Sequence, residues 1–250
     1  MHIRAVTFDC WGTLLLDGPG SDERYKPHRL SGIEKVLEGL GVEAPRQRLS
    51  EAYEQSGQRL AHTWNKNRDV PVKAHVIALL EALDSTLPRR IGPAGLGALM
   101  EAYATPALMA PPAVDRGAIA ALRALANNGI ALSVVSNTMR TPGTILGQIL
   151  ERAGLTAFKV MTFSDECGIR KPNPNIFHLT LRQLGVAPEH AVHVGDDPIL
   201  DVEGAREAGM AVIQVVGDGR ATAPMKPDGV VRDLRELPMA LAALAGSTAA

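Results

Sequence analysis

Apolar and polar positions along the chain fall into two alternating patterns. Short, nearly continuous apolar runs recur at Ile3 to Phe8, Ala131 to Val135, Val160 to Phe163, Ala191 to Val194 and Ala211 to Val216. Runs of this length and β-branched content predict strands buried on both faces, hence a parallel sheet covered by helices. Between them lie stretches with clear helix ends. Thr141-Pro142 opens one and Gly154 closes it; Asn173-Pro174 and Gly185 bracket the next; Asp197-Pro198 and Gly209 bracket the third. In each, a capping residue precedes proline at the first helical position, and the closing glycine can turn left-handed. Val114 to Asn128, ended by Gly129, predicts a fourth helix. Strands and helices alternating in this way give an α/β fold built on a doubly wound parallel sheet.

The alternation breaks from about Gly18 to Pro111. Apolar positions there follow a helical period, as in Ile33, Val36, Leu37, Leu40 and again in Val76, Leu79, Leu80, Leu83, with no strand pattern between. The first strand therefore meets its next strand roughly a hundred residues later, far beyond the length of a loop. An inserted α-helical cap domain accounts for the gap. The sheet core is placed at 1–17 and 112–250 and the insert at 18–111. Because the insert leaves the sheet just after Asp9, it is expected over the carboxyl ends of the strands, where ligands bind in such sheets. The tail from Gly246 to Ala250 is expected to fray.

Charge and composition remove several kinds of partner. Lys+Arg 26 against Asp+Glu 27 leaves a net charge of -1, so no global field favours nucleic acid or anionic lipid. No apolar stretch approaches the ~18 residues of a membrane span. Two cysteines, Cys10 and Cys167, are too few for a disulfide framework. With no signal-peptide pattern at Met1 to Arg4, a cytoplasmic protein acting on a small molecule is expected. Nothing in the pattern sets an oligomeric state.

The candidate chemistry sits where the strands end. Asp9 and Thr13 follow the first run, Ser136-Asn137-Thr138 the second, and Gly195-Asp196-Asp197 the fourth, with Asp201 a turn later and Lys171 just ahead of a helix. In a parallel sheet these positions share one edge, which gathers carboxylates, a hydroxyl and an ammonium. Simpler roles compete for some of them. Asp197 is a ready N-cap, Asp201 is a first-turn carboxylate favoured by the helix dipole, and Ser136 and Asn137 are turn formers. Asp9 is harder to explain away, because an unpaired carboxylate at the end of a buried strand is costly.

Four segments, Phe8-Asp9-Cys10-Trp11-Gly12-Thr13-Leu14, Ser136-Asn137, Lys171-Pro172 and Gly195-Asp196-Asp197 with Asp201, resemble in order the four motifs of the haloacid dehalogenase-like hydrolase superfamily, in its helical-cap subgroup. The resemblance covers nearly the whole chain. It implies that Asp9 is a nucleophile forming an aspartyl-phosphate. It implies Mg²⁺ held by Asp9, the Trp11 carbonyl and Asp196, with Asp197 or Asp201 assisting. Ser136, Lys171 and backbone N–H groups near Gly12 and Asn137 would hold the transferring group, and Thr13 would support the loop. The implied activity is that of a Mg²⁺-dependent hydrolase of a small phosphorylated metabolite.

One position departs from the pattern. Family phosphatases usually carry a second aspartate two residues after the nucleophile, as general acid; here that residue is Trp11, whose indole N–H cannot do this work. The departure keeps open a 2-haloacid dehalogenase-type reaction, in which halide leaves without a proton, and a weakly active module that binds a phosphorylated ligand. The cluster Asp196, Asp197 and Asp201 favours phosphoryl chemistry, since like charges need a cation between them. In the insert, His28, His62 and His75 are candidates to replace the acid, and Lys26, Arg29, Lys66 and Arg68 to contact an anion, each competing with a plain surface role. Trp64 is expected in the insert's core rather than as a substrate platform.

Overall fold

A computed structural model describes residues 1–16, 21–217 and 225–246. The expected insert boundary at Gly18 and the tail beyond Gly246 lie outside the described residues. Six parallel strands form one sheet in the order β3-β2-β1-β4-β5-β6: β1 Ala5–Phe8, β2 Ala131–Ser136, β3 Phe158–Phe163, β4 Ala191–Gly195, β5 Ala211–Val215 and β6 Gly229–Val231. The five predicted runs are all strands. β6, only three residues long, carries too short an apolar run to be read from the pattern.

Helices cover both faces, so successive side chains of each strand find apolar cover on alternate sides. Val6 and Phe8 pack with Leu132, Val134, Val192 and Val194 against Leu122, Leu125, Leu146 and Leu241. Ala5, Val135, Ala191 and Val212 pack on the other side against Ile176, Phe177, Leu181 and Val202. The helices concerned are α7 Ala118–Asn127, α8 Gly143–Arg152, α10 Pro174–Leu184, α11 Gly204–Glu207 and α12 Leu237–Gly246; α9, Ser164–Cys167, is a single turn after β3.

The helix ends show where neighbouring elements override local signals. α10 behaves as predicted: the Asn173 side chain accepts from the Asn175 N–H, and Gly185 closes it in the left-handed region. α8 starts one residue later than predicted, at Gly143, with Pro142 in the capping position. Its first N–H donates to the Asp165 carboxylate at 3.2 Å, so a residue beyond β3 supplies the acceptor that Thr141 was expected to supply. α7 starts at Ala118 rather than Val114, because Val114 forms a bridge with Leu15 and Asp115 accepts from the Gly117 N–H.

Between β1 and β2 the regular elements among the described residues are all helices: α1 Ser21–Gly39, α2 Arg46–Trp64, α3 Val72–Leu83, α5 Pro93–Ala104 and two single turns, α4 Leu87–Arg90 and α6 Pro106–Met109. The predicted apolar stripes close a core here except at Leu40, which is exposed. Ile33, Leu37, Val76, Leu79, Leu80 and Leu83 pack with Leu49, Tyr53, Leu99 and Tyr103 as a cluster separate from both faces of the sheet. No helix among the described residues is long and apolar enough to cross a membrane.

Candidate active site

The sheet delivers the predicted residues to one edge. The Asp9 N–H donates to the Val194 carbonyl at 2.9 Å, which carries the β1–β4 pairing one residue past Phe8 and fixes Asp9 at the strand end. Ser136 is the last residue of β2, and Asp196 follows the last residue of β4. Asp201 comes from a wide, π-type turn, Pro198–Glu203, in which the Val202 N–H reaches back five residues to the Asp197 carbonyl. Such turns recur at functional sites because they re-aim a side chain.

Lys171 is the centre of the arrangement. Its Nζ donates to Asp9 Oδ1 at 2.6 Å and to Asp201 Oδ1 at 2.5 Å, and all three side chains are buried. Ser136 Oγ donates to the same Asp9 oxygen at 2.9 Å. Asn137 takes a part that was not anticipated. Its amide donates to the Lys171 carbonyl at 3.0 Å and accepts from the Lys171 N–H at 2.8 Å, so its side chain positions Lys171. The Gly12 N–H donates to the Leu15 carbonyl at 2.7 Å. Thr13 Oγ1 lies 3.4 Å from Asp196 Oδ1, in keeping with a supporting role. Asp197 is an N-cap: its Oδ1 accepts from the Ile199 and Leu200 N–H groups.

Sequence reasoning missed His193. Its Nε2 lies 3.0 Å from Asp201 Oδ1 and its Nδ1 2.7 Å from Thr7 Oγ1, so the ring fixes the orientation of the Asp201 carboxylate. A histidine inside the otherwise apolar run Ala191–Gly195 was the available signal.

The electrostatics are uneven. Burial pushes the Asp9 carboxyl up to about 7; Lys171 opposes this, while Asp201 and Asp196 add to it. Burial also works against ionised Asp201, but Lys171 and His193 outweigh it and hold that carboxyl well below its usual range. Asp201 and Asp9 likewise outweigh the burial of Lys171 and raise its pKa.

These residues fit a hard divalent cation. One carboxylate oxygen each from Asp9, Asp196 and Asp201 lie within 4.8 Å of one another. Three carboxylates around one ammonium leave an excess of negative charge at a largely buried place, and oxygen donors suit Mg²⁺. Two glycines make the packing possible. A Cβ at Gly12, where φ is +77°, would lie 2.6 Å from Asp196 Oδ2, and a Cβ at Gly195 would lie 2.3 Å from Asp201 Cγ.

A cavity of about 360 Å³ opens over this edge, lined by Asp9, Trp11, Lys171, Asp196 and Asp201 from the sheet side and by Asp22, Tyr25 and Arg29 from α1. Arg140 and Met139, in the loop after β2, also line it, as does Arg170, and none of the three was anticipated. Of the basic and histidine candidates in the insert, Arg29 alone reaches the cavity. Lys66, Arg68, His28 and His62 are exposed elsewhere, and Lys26 pairs with Glu54. His75 is buried behind the wall, where burial lowers its pKa to about 4. No described histidine lines the cavity. Trp11 is partly buried against the sheet core, its indole N–H without a partner.

The insert is fastened to the core beside Lys171. The Arg170 N–H donates to the Asn67 carbonyl and the Asp69 N–H to the Gly168 carbonyl, at 3.0 and 3.1 Å. The buried Asp69 carboxylate accepts from Arg170, Ser164 and Trp64, and the Arg170 guanidinium lies 4.8 Å over the Trp64 ring. Trp64 thus belongs to this fastening and not to the cavity wall. Arg170→Met will lower unfolding stability by ~3 kcal/mol, since one partner of a buried ion pair is left behind. Urea titration of the two proteins measures it, and a loss below ~1 kcal/mol would show that Asp69 is satisfied by its other donors.

Comparison with known proteins agrees with this geometry. The sequence pattern of haloacid dehalogenase-like hydrolases matches residues 3–209. Phosphoserine phosphatase of Thermus thermophilus is 40% identical over 111 residues, 44% of this chain and 43% of that protein. The chain thus spans less than half the length of this curated relative. Among solved structures, a HAD phosphatase from Thermococcus onnurineus superposes with a TM-score of 0.60 at 26% identity, over 96% of this chain and 98% of the other. The 2-haloacid dehalogenase of Pseudomonas syringae pv. Tomato superposes with a TM-score of 0.68 at 24% identity, over 97% and 99%, a likeness of fold alone. With four motifs at one sheet edge and the family pattern matched along most of its length, the chain belongs to the haloacid dehalogenase-like hydrolases.

Proposed function

We propose that this protein hydrolyses a small phosphate ester with Mg²⁺ bound, using the Asp9 carboxylate as nucleophile. The observation that carries the reading is the cluster of Asp9, Asp196 and Asp201 around the single Lys171 ammonium. A phosphate adds further negative charge, and only a cation makes the site hospitable to it. Asp9, the Trp11 carbonyl and Asp196 would hold the ion, with Asp201 close by; held there, it would screen the repulsion between carboxylate and phosphate oxygens.

The chain's own residues do the rest. An Asp9 oxygen attacks phosphorus, the bond from phosphorus to the ester oxygen breaks, and an aspartyl-phosphate forms. Water then attacks that phosphorus, and Asp9 leaves as a carboxylate with inorganic phosphate as product. Ser136 and Lys171 hold the phosphoryl oxygens in line and match the charge that develops there. Walls from the insert exclude bulk water.

Trp11 favours a second reading, attack of Asp9 on a carbon bearing a halide, because no proton is then required. The carboxylate cluster weighs against it. A screen of phosphate monoesters, acyl phosphates and haloacids, with and without Mg²⁺, separates the two by reading phosphate and halide release together. On the phosphoryl reading, no acid aids the leaving alkoxide. General acid help is worth ~10²–10⁴-fold, so alkyl phosphates will trail aryl and acyl phosphates by about that factor. Trp11→Asp will raise turnover of alkyl more than of aryl phosphates; equal effects on both would mean that a proton reaches the leaving group by another route.

A further inference from the structure

The far wall of the cavity carries more positive than negative charge. Arg29 and Arg140 both line it, and the carboxylate that both face is Asp22: Arg29 Nη1 lies 2.7 Å from one Asp22 oxygen and Arg140 Nε 3.4 Å from the other. Their side chains are 1% and 10% exposed, while that of Asp22 is 41% exposed. Two buried guanidiniums therefore share one partner that water already screens. Neither has another ion pair among the described residues. Buried charge without a matching partner is costly.

The remaining contacts hold the guanidiniums in place without neutralising them. Arg29 donates from Nε to the Tyr103 carbonyl and from Nη1 to the Tyr53 hydroxyl. Arg140 donates from Nη1 to the Tyr103 hydroxyl and from Nη2 to the Tyr53 carbonyl, and lies 3.7 Å over the Tyr53 ring. Gly57 is shaped for it: a Cβ there would lie 2.3 Å from Arg140 Nη2. Arg140 is the less buried of the two and retains N–H groups beyond those its protein partners use, since a guanidinium has five. A rigid guanidinium of this kind takes carboxylate or phosphoryl oxygens in pairs.

We propose that Arg140, backed by Arg29, binds a second anionic group of the substrate, a carboxylate or a further phosphoryl group, at the insert end of the cavity, so that the preferred esters carry two acid groups. The proposal rests on the phosphate-ester reading above and narrows its substrate class. Arg29, fully covered, adds charge and holds Tyr53 and Asp22; Arg140 is the specificity-determining contact.

Two measurements test it. In steady-state kinetics with Mg²⁺, wild-type protein is expected to prefer carboxymethyl phosphate to ethyl phosphate. Arg140→Met should raise the KM for carboxymethyl phosphate about 10- to 100-fold and that for ethyl phosphate at least ~10-fold less. Asp22→Asn, which keeps both guanidiniums and removes their counter-charge, should lower the KM for carboxymethyl phosphate. Equal KM effects of Arg140→Met on both esters, or no wild-type preference, would reduce Arg140 to a strut between insert and core and overturn the proposal. If Arg140→Met does not fold, Asp22→Asn decides by its sign. The second measurement is thermal stabilisation by phosphonoacetate, methylenediphosphonate and methylphosphonate. A larger Tm rise with either two-acid ligand, diminished in Arg140→Met, supports the proposal and tells carboxylate from phosphoryl; equal rises with all three overturn it. This arm needs no turnover. Failure of every ester to release phosphate would therefore remove the hydrolase reading while the second anion site is still judged on its own.

Discussion

Asp9→Asn will reduce turnover by at least ~10⁴-fold, as removal of a nucleophile does in enzymes that work through a covalent intermediate. The amide can keep the hydrogen bonds that Ser136 and Lys171 now make to Asp9 Oδ1, so the loss will not come from a collapsed site. Stability should move the other way. Because burial pushes the Asp9 carboxyl up to about 7, the metal-free folded chain holds a proton between about pH 4 and 7 that the unfolded chain has already released. Wild-type stability therefore falls as pH rises through that window, and the asparagine variant escapes this fall. Urea titrations in chelator at pH 5 and pH 8 should show its advantage growing with pH. Near-normal turnover in the variant would end the covalent mechanism.

Removal of divalent cations will stop phosphate release by at least ~10²-fold, and added Mg²⁺ will restore it. Asp196→Asn should need more Mg²⁺ for half-maximal rate, because it takes one of the three clustered carboxylates from the site. Asp197→Asn should leave the Mg²⁺ requirement nearly unchanged, since the Asp197 carboxylate accepts from two backbone N–H groups at the start of its turn. Halide release that persists in excess chelator would instead favour attack on a carbon centre.

Much of this was legible because the sequence signals are local. A buried parallel strand must be an unbroken apolar run, and the residue at its carboxyl end is then placed by topology alone; Asp9, Ser136 and Asp196 were found in this way. What was wrong or gave no signal depends on a partner distant in sequence. The cap of α8 comes from Asp165, the side-chain partners of Asn137 are the Lys171 main chain, and Arg140 meets Tyr53 and Tyr103 across the whole insert. The histidines of the insert could not be placed for the same reason, since a side chain's position on a helix says nothing of whether that face meets the cavity; His28 and His62 have the plain surface role that competed with the acid role. His193 was within reach, as a lone polar residue in an apolar strand, and its bond to Asp201 was not.

The position of β1 has a consequence for the order in which the molecule can form. β1 lies between β2 and β4, and its Ala5 is in register with Ala131 on one side and Ala191 on the other. On a ribosome β1 would meet neither of these neighbours until more than a hundred further residues had emerged, and would lack the second until β4. The helical insert suffers no such delay, since its cluster draws on residues from Leu30 to Tyr103 alone. Closing a long loop before any pairing repays it slows assembly. The nascent chain thus carries a bare, largely apolar strand beside a helical segment that can close its own core, and its exposure to misassociation is greatest before the carboxylate-bearing edge of the sheet exists.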